Sequence, residues 1–174
     1  DPDIDIVIEL IGGTTVARDV VVSALEAGKN VVTANKALMA THGEEVMHLA
    51  EKMNRELAFE ASVGGGIPII DPLKHSLISN EITSVMGIVN GTTNYMLTRM
   101  VDDNLSYDEA LKEAQERGFA EADPTADVDG FDAAAKIAIL ASIAFNSRVT
   151  LDDVHTEGIR NITTLDLDTA DDMG

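Results

Sequence analysis

At 174 residues, 45% hydrophobic and 25% charged, the chain has the composition of an ordinary soluble globular protein, long enough for one domain or two small lobes. Its net charge of −19 excludes the basic patches that nucleic acid or an anionic membrane requires of a partner. The lack of cysteine excludes disulfides, zinc–thiolate centres and thiol nucleophiles, and with 3% aromatics and no Trp the core must rest on Val, Ile, Leu, Ala and Met. The four histidines (His42, His48, His75, His155) show no metal-ligand spacing. The longest apolar run, Ile137 to Phe145, is far too short to span a bilayer, and no basic segment or signal sequence opens the chain, so a cytoplasmic location is expected.

In chain order, Asp3 to Ile11 (DIDIVIELI) reads as a buried strand ended by Gly12-Gly13. A helix is predicted over Thr15 to Ala27, stopped by Gly28, followed by a short strand over Asn30 to Thr33. Thr41-x-x-Glu44 has the form of a capping box for a helix reaching about Asn54, and Leu57 to Val63 reads as a third strand. This alternation implies a parallel sheet with helices packed over it. Such sheets hold ligands at the carboxyl ends of their strands, where Gly12-Gly13, Thr33-Ala34-Asn35-Lys36 and Gly64-Gly65-Gly66 lie. No G-x-G-x-x-G fingerprint is present, and the chain is expected to hold the later half of a dinucleotide-binding domain.

Beyond Gly66 the pattern predicts a helix over Pro68 to Ile78 and an alternating strand over Ile82 to Val89. Asn90-Gly91-Thr92-Thr93-Asn94 is a polar turn able to line a ligand site or cap the helix that continues over Tyr95 to Val101. Ser106-x-x-Glu109 is a second capping box, opening a helix over Tyr107 to Arg117. A short helix within Thr150 to Asn161 and a frayed tail from Thr163 complete the reading.

The most informative stretch is Gly118 to Lys136, in which Glu121, Asp123, Asp127, Asp129 and Asp132 precede a single lysine. Pro124 and Gly130 mark a loop, and the Ala-rich run Phe131 to Phe145 a helix, with Asp129 as its expected cap. Asp132 lies in the first turn and Lys136 four residues on, on the same helix face. Such a pair is most often a surface salt bridge contributing a few tenths of a kcal/mol. Calcium is excluded by register: with Gly130 at position six of an EF-hand loop, Lys136 would occupy the place of the bidentate Glu. An amine beside an acidic loop suits a substrate bearing an amino group near a hydroxyl or carbonyl.

The pattern Ala114-x-x-x-Gly118-Phe119-Ala120-Glu121-Ala122-Asp123-Pro124-x-x-Asp127-Val128-x-Gly130-x-Asp132-x-x-x-Lys136 resembles the signature of homoserine dehydrogenase at every defined position, with Phe119 where Tyr is frequent. Thr33-Ala34-Asn35-Lys36, Phe59 to Pro68 and Asn90 to Tyr95 look like further landmarks of that family, in the same order. The resemblance covers essentially the whole chain. It implies an α/β fold, the C-terminal part of a Rossmann-type parallel sheet followed by an α+β catalytic and dimerisation domain, divided as 1–63 and 64–174.

The resemblance further implies an NAD- or NADP-dependent interconversion of aspartate 4-semialdehyde and L-homoserine, in threonine, methionine and isoleucine synthesis. By position it assigns Lys136 and Lys36 to catalysis, with Lys36 also contacting the cofactor. It assigns Glu121, Asp132 and Asp127 to substrate, and Gly12, Gly13 and Gly118 to cofactor. Glu60, with the carbonyls of Val63, Gly65 and Ile67, would hold a sodium or potassium ion, for which an all-oxygen shell is suited. A homodimer through the catalytic domain is implied, and the chain alone is expected not to turn over. Two alternatives stand beside this reading: an oxidoreductase of another amino-aldehyde or of aspartate, and a non-catalytic regulatory lobe.

Overall fold

The computed structural model describes residues 1–174 and divides into two compact units. One comprises Asp1–Met86 and Ala135–Val154, the other Gly87–Ala134 and His155–Gly174.

The first unit contains a three-stranded parallel sheet, β1 (Ile6–Glu9), β2 (Asn30–Thr33) and β3 (Leu57–Ala58), in the order β1-β2-β3. Helices α1 (Thr15–Glu26) and α2 (Lys36–Lys52) form the crossovers. The ladder pairs Ile6 with Asn30 through Glu9 with Thr33, and Val31 with Leu57. The expected α/β class and parallel sheet are present, with shorter strands than the apolar runs suggest. β2 offers four residues, so only four of β1 can pair with it, and the Leu57 to Val63 strand ends early where Glu60–Ser62 turn into a 3-10 segment. Ser62 Oγ closes that turn by donating to the Phe59 carbonyl at 2.6 Å. The core gathers Val21, Leu25, Val31, Leu38, Val46, Leu57 and Phe59 with Ala135, Ile139 and Leu140, so α2 and the helix over Phe131–Ala144 share one packed interior.

Helix α2 starts five residues before the expected box. Its cap is Asn35, whose side chain accepts from Leu38 N at 3.0 Å, while Thr41 lies inside the helix and donates to the Ala37 carbonyl at 2.7 Å. In place of a helix over Pro68 to Ile78 there is a π-helical turn at Pro72–Ser76, closed by Leu77 N on the Pro72 carbonyl at 2.9 Å. Residues 81–90 form no strand, since no neighbour supplies a ladder for their amides and carbonyls, and Met86 and Ile88 are exposed.

The second unit is helical: α3 (Gly91–Asp103), α4 (Tyr107–Glu116), α5 (Thr125–Val128), the start of α6 (Phe131–Ala144), and α7 (Thr164–Met173). Its core is small and flexible in type, built on Met96, Met100, Ala110, Ala114, Ala120 and Val128. The Ser106 capping box forms as expected, Glu109 Oε2 accepting from Ser106 N at 2.9 Å. The tail is not frayed: Thr163 and Asp166 make another capping box that opens α7. Between Thr150 and Asn161 only Leu151–Asp153 is helical, as a 3-10 turn in the first unit. Asp129 does not cap α6. It closes α5 and pairs with Arg160 instead, and Ala134 N bonds the Gly130 carbonyl at 2.9 Å.

Candidate functional site

At the carboxyl end of β1 the chain buries a charge. Glu9 is 1% exposed, and its Oε1 accepts from Ile11 N at 2.7 Å and Gly12 N at 3.1 Å. Its Oε2 accepts from the Thr33 hydroxyl at 2.6 Å. Thr33 Oγ1 in turn accepts from Asn35 N at 3.0 Å, and Asn35 Nδ2 donates to the Gly13 carbonyl at 2.7 Å. Burial raises the Glu9 pKa, but the bonds from Thr33, Gly12, Ile11 and Asn35 outweigh it and hold the carboxyl below its ordinary value. The turn so anchored has φ of +81° at Gly12 and +70° at Gly13, a region that disfavours side chains, and both glycines face open space. Lys36, half-buried, opens α2 directly after Asn35. A glycine turn and a helix start at the carboxyl edge of a parallel sheet fit a dinucleotide, so the residues present match the cofactor implied by the sequence.

At the end of β3, Glu60 organises the following loop. Its carboxylate accepts from Ile69 N at 2.6 Å, Ile70 N at 2.8 Å and Asp71 N at 2.7 Å. Burial raises its pKa, and the amides of Asp71, Ile69 and Ile70 more than offset this, leaving it below the usual range. Val63 is buried, Gly65 and Ile67 are exposed, and Ile67 N closes a tight turn on the Gly64 carbonyl at 2.7 Å. The Glu60 carboxylate is thus engaged by three main-chain amides rather than turned toward the carbonyls of Val63, Gly65 and Ile67. No group of three or more His, Asp or Glu side chains comes together to hold a metal.

In the helical unit the acidic loop is built around an amide. Asn90 caps α3 by accepting from Thr93 N at 2.8 Å, while its Nδ2 donates to Asp127 Oδ1 at 2.7 Å and to Asp132 Oδ2 at 2.9 Å. Asp132, 7% exposed, occupies the first turn of α6, and half-buried Lys136 follows one turn along that helix. Thr92 Oγ1 bonds the Phe119 carbonyl at 2.7 Å, fixing the loop's start, where Gly118 has φ of +76°. Glu121 is exposed, and its backbone carbonyl accepts from Gln115 Nε2 at 3.1 Å. Gly130 admits no side chain: a Cβ there would lie 2.8 Å from the Glu157 carbonyl oxygen, and one on Gly158 would lie 2.4 Å from that of Val128. This close crossing, tied by Ile159 N on the Val128 carbonyl at 2.8 Å, sets where α6 begins and hence where Asp132 stands.

Of the residues predicted from sequence, Asp127 and Asp132 are joined through Asn90, while Gly12 and Gly13 are tied to the Glu9–Thr33–Asn35 chain and Lys36 follows Asn35 in sequence. Lys36 and Lys136 lie on two helices that share one core. Sequence reasoning missed Glu9, which looked like part of an apolar strand, although a lone carboxylate ending such a run was a usable signal. A cavity of about 570 Å³ lined by Met39, Phe59, Lys74, Ile139 and Arg148 includes none of the predicted residues.

The homoserine dehydrogenase family profile matches residues 68–174, and the profile of that enzyme's NAD-binding domain matches residues 1–60. A homoserine dehydrogenase of Corynebacterium glutamicum is 56% identical over 172 residues, covering 99% of this chain and 39% of its own length. One from Bacillus subtilis is 52% identical, covering 100% of the chain and 40% of its own length. The crystal structure of a homoserine dehydrogenase from Thiobacillus denitrificans superposes with a TM-score of 0.97 at 48% identity, over 100% of this chain and 40% of that one. The chain thus spans about 40% of the length of the relatives it matches.

Proposed function

The chain belongs to the homoserine dehydrogenase family, and we propose on that basis that it supplies the substrate and acid–base side of an NAD(P)-dependent interconversion of L-homoserine and aspartate 4-semialdehyde. The observation that carries the reading is the Asn90-linked pair Asp127 and Asp132, with Lys136 one turn after Asp132 in α6, within a chain whose relatives at about half identity are named for this activity. That agreement disfavours another amino-aldehyde, aspartate, or a purely regulatory role.

Homoserine carries an ammonium group, a carboxylate and a primary hydroxyl. Asp132 and Glu121 hold the ammonium by charge-assisted bonds, and Asp127 steadies the loop through Asn90. Lys136 exchanges the hydroxyl proton: its neutral amine accepts the proton as homoserine is oxidised, and its ammonium returns it when the aldehyde is reduced. When bound, the nicotinamide supplies the hydride chemistry at the carbon bearing that oxygen. Gly12, Gly13, Lys36 and Gly118 receive the cofactor, and Lys36 adds a positive charge at the mouth of the site. Glu60 with the carbonyls of Val63, Gly65 and Ile67 would hold a monovalent cation, which would supply positive charge at the loop after β3.

Residues 1–63 belong to the dinucleotide domain and 64–174 to the catalytic domain, through which the enzyme forms a homodimer. The location is cytoplasmic and the pathway that of threonine, methionine and isoleucine. No helix is long and apolar enough to cross a membrane. The test is the full-length protein, assayed for homoserine-dependent reduction of NAD and of NADP side by side. Reduction of at least one is expected, and reduction of neither overturns the proposal.

A further inference from the structure

We propose that Glu9 is the positioning residue of the cofactor turn: its buried carboxylate, acting through Thr33 and Asn35, fixes the Gly12–Gly13 backbone in the form that receives the dinucleotide. The inference rests on the function proposed above and concerns a residue to which that function gives no task.

The placement of a charge is the first argument. Ile4, Ile6, Ile8 and Leu10 of the β1 segment point one way and are exposed, whereas Glu9 points the other way into the unit. An apolar residue would satisfy that position for packing alone, and burying a carboxylate is costly unless it is fully bonded. Glu9 is bonded, and every partner belongs to one of the two strand-end turns: Ile11 N, Gly12 N and the Thr33 hydroxyl.

The second argument is geometric. Positive φ at two successive glycines is one of many conformations open to them, so contacts from outside the turn must select it. Here the N–H of Gly12 is drawn inward to Glu9 at 3.1 Å and the carbonyl of Gly13 is held by Asn35 Nδ2 at 2.7 Å. The turn is therefore gripped at both ends while its outer side meets open space at both glycines. Asn35 also caps α2, so the β1–α1 and β2–α2 turns move as one piece and Lys36 moves with them. A ligand at this edge meets a backbone already set, which lowers the ordering cost of binding.

The experiment uses the full-length protein carrying Glu9→Gln, and measures Kd for NADH and NADPH by cofactor fluorescence, apart from turnover. The Gln oxygen can still accept from the Ile11–Gly12 amides, but the charge is lost and the Thr33 hydroxyl, which donates to Glu9, would have to accept from the new NH2 while it also accepts from Asn35 N. For whichever cofactor the wild type binds more tightly, Kd is expected to rise about tenfold, while the KM for homoserine at saturating cofactor stays within about twofold. Asn35→Ser retains a helix-capping oxygen but loses the donor to Gly13, and should raise Kd in the same way with the melting temperature preserved. If Glu9→Gln fails to fold, Asn35→Ser decides alone. A Kd within about twofold of wild type overturns the proposal. So does an equal rise in cofactor Kd and homoserine KM, the mark of general loosening. A wild type that binds cofactor without oxidising homoserine defeats the function reading and leaves the Glu9 measurement valid. Homoserine turnover with an unchanged Kd in both variants defeats the Glu9 assignment alone.

Discussion

The two units of the molecule use negative charge in opposite ways. In the sheet-bearing unit Glu9 and Glu60 turn their oxygens onto backbone amides, so each carboxylate shapes a loop at a strand end. In the helical unit Asp127 and Asp132 meet a side-chain amide, Asn90, that spends one N–H on each. In the function proposed above it is this second arrangement that meets the substrate ammonium. The acid in this sequence thus takes two forms: carboxylates bonded to main-chain amides, and a pair joined by one side-chain amide, to which the proposed function gives recognition.

The largest effect should come from the amine beside the recognition group. Lys136→Ala in the full-length enzyme is expected to lower kcat by about two to four orders of magnitude, the usual loss when a positioned proton donor is removed. Ala is the best helix former and its neighbours Ala134, Ala135 and Ala138 are already buried in α6, so the fold should persist by circular dichroism. Near-normal turnover would mean that Lys136 is a helix-surface charge and that the acidic group serves some other cation.

Next in size is the removal of the recognition charges. Asp132→Asn retains an oxygen to accept from Asn90 and loses the charge with one acceptor, and Glu121→Gln alters an exposed residue. Each should weaken homoserine binding by about 1–3 kcal/mol, read as KM and by calorimetry, with little change in cofactor Kd or melting temperature. A matched loss of stability would move Asp132 into the scaffolding class with Glu9 and Glu60.

That division was only half legible in the sequence. The acidic loop announced itself by its crowded carboxylates around Pro124 and Gly130, although Asp123 and Asp129 proved to bond Thr125 N and Arg160, and Ser106-x-x-Glu109 named its own bonds by spacing. The scaffolding carboxylates were concealed by context. Glu9 sits in a run of β-branched residues, and its partners Thr33 and Asn35 are more than twenty residues away, a distance only the parallel register closes. Ile82 to Val89 misled for the converse reason: alternation shows that a segment could be a strand, but whether it becomes one depends on a neighbouring ladder that local pattern does not encode. The Gly130–Gly158 crossing was likewise invisible, since only the folded chain shows which backbone each glycine admits.

The scaffolding class has its own signature in pH. The Glu60 carboxyl lies below its unfolded value, so its bonds contribute stability that is fully present above the unfolded pKa of about 4.3 and is lost as pH falls through the lower folded value. Wild-type melting temperature should therefore decline in acid below about pH 4. Glu60→Gln should cost about 1 kcal/mol at pH 7 and then follow a flatter curve that approaches the wild type's as pH falls. Parallel curves for the two proteins would show that Glu60's charge contributes nothing to the loop at Ile69–Asp71.

The smallest effect separates local from global order within the helical unit itself. Thr163 and Ser106 make the same kind of capping box, Thr163 Oγ1 meeting Asp166 Oδ2 and Ser106 Oγ meeting Glu109 Oε2, each at 2.6 Å. Helix α4 buries Ala110 and Ala114 completely, whereas α7 buries no residue and only Leu167 leans on the core. A cap contributes about 1 kcal/mol wherever it stands, but where that loss is felt depends on whether the helix is coupled to the core. Ser106→Ala should lower the melting temperature of the whole unit. Thr163→Ala should leave it unchanged and accelerate amide exchange about fivefold across Thr164–Met173 alone. If Thr163→Ala lowers the global midpoint as much as Ser106→Ala does, α7 is a cooperative part of the unit and its few contacts with α3 matter more than its exposure suggests.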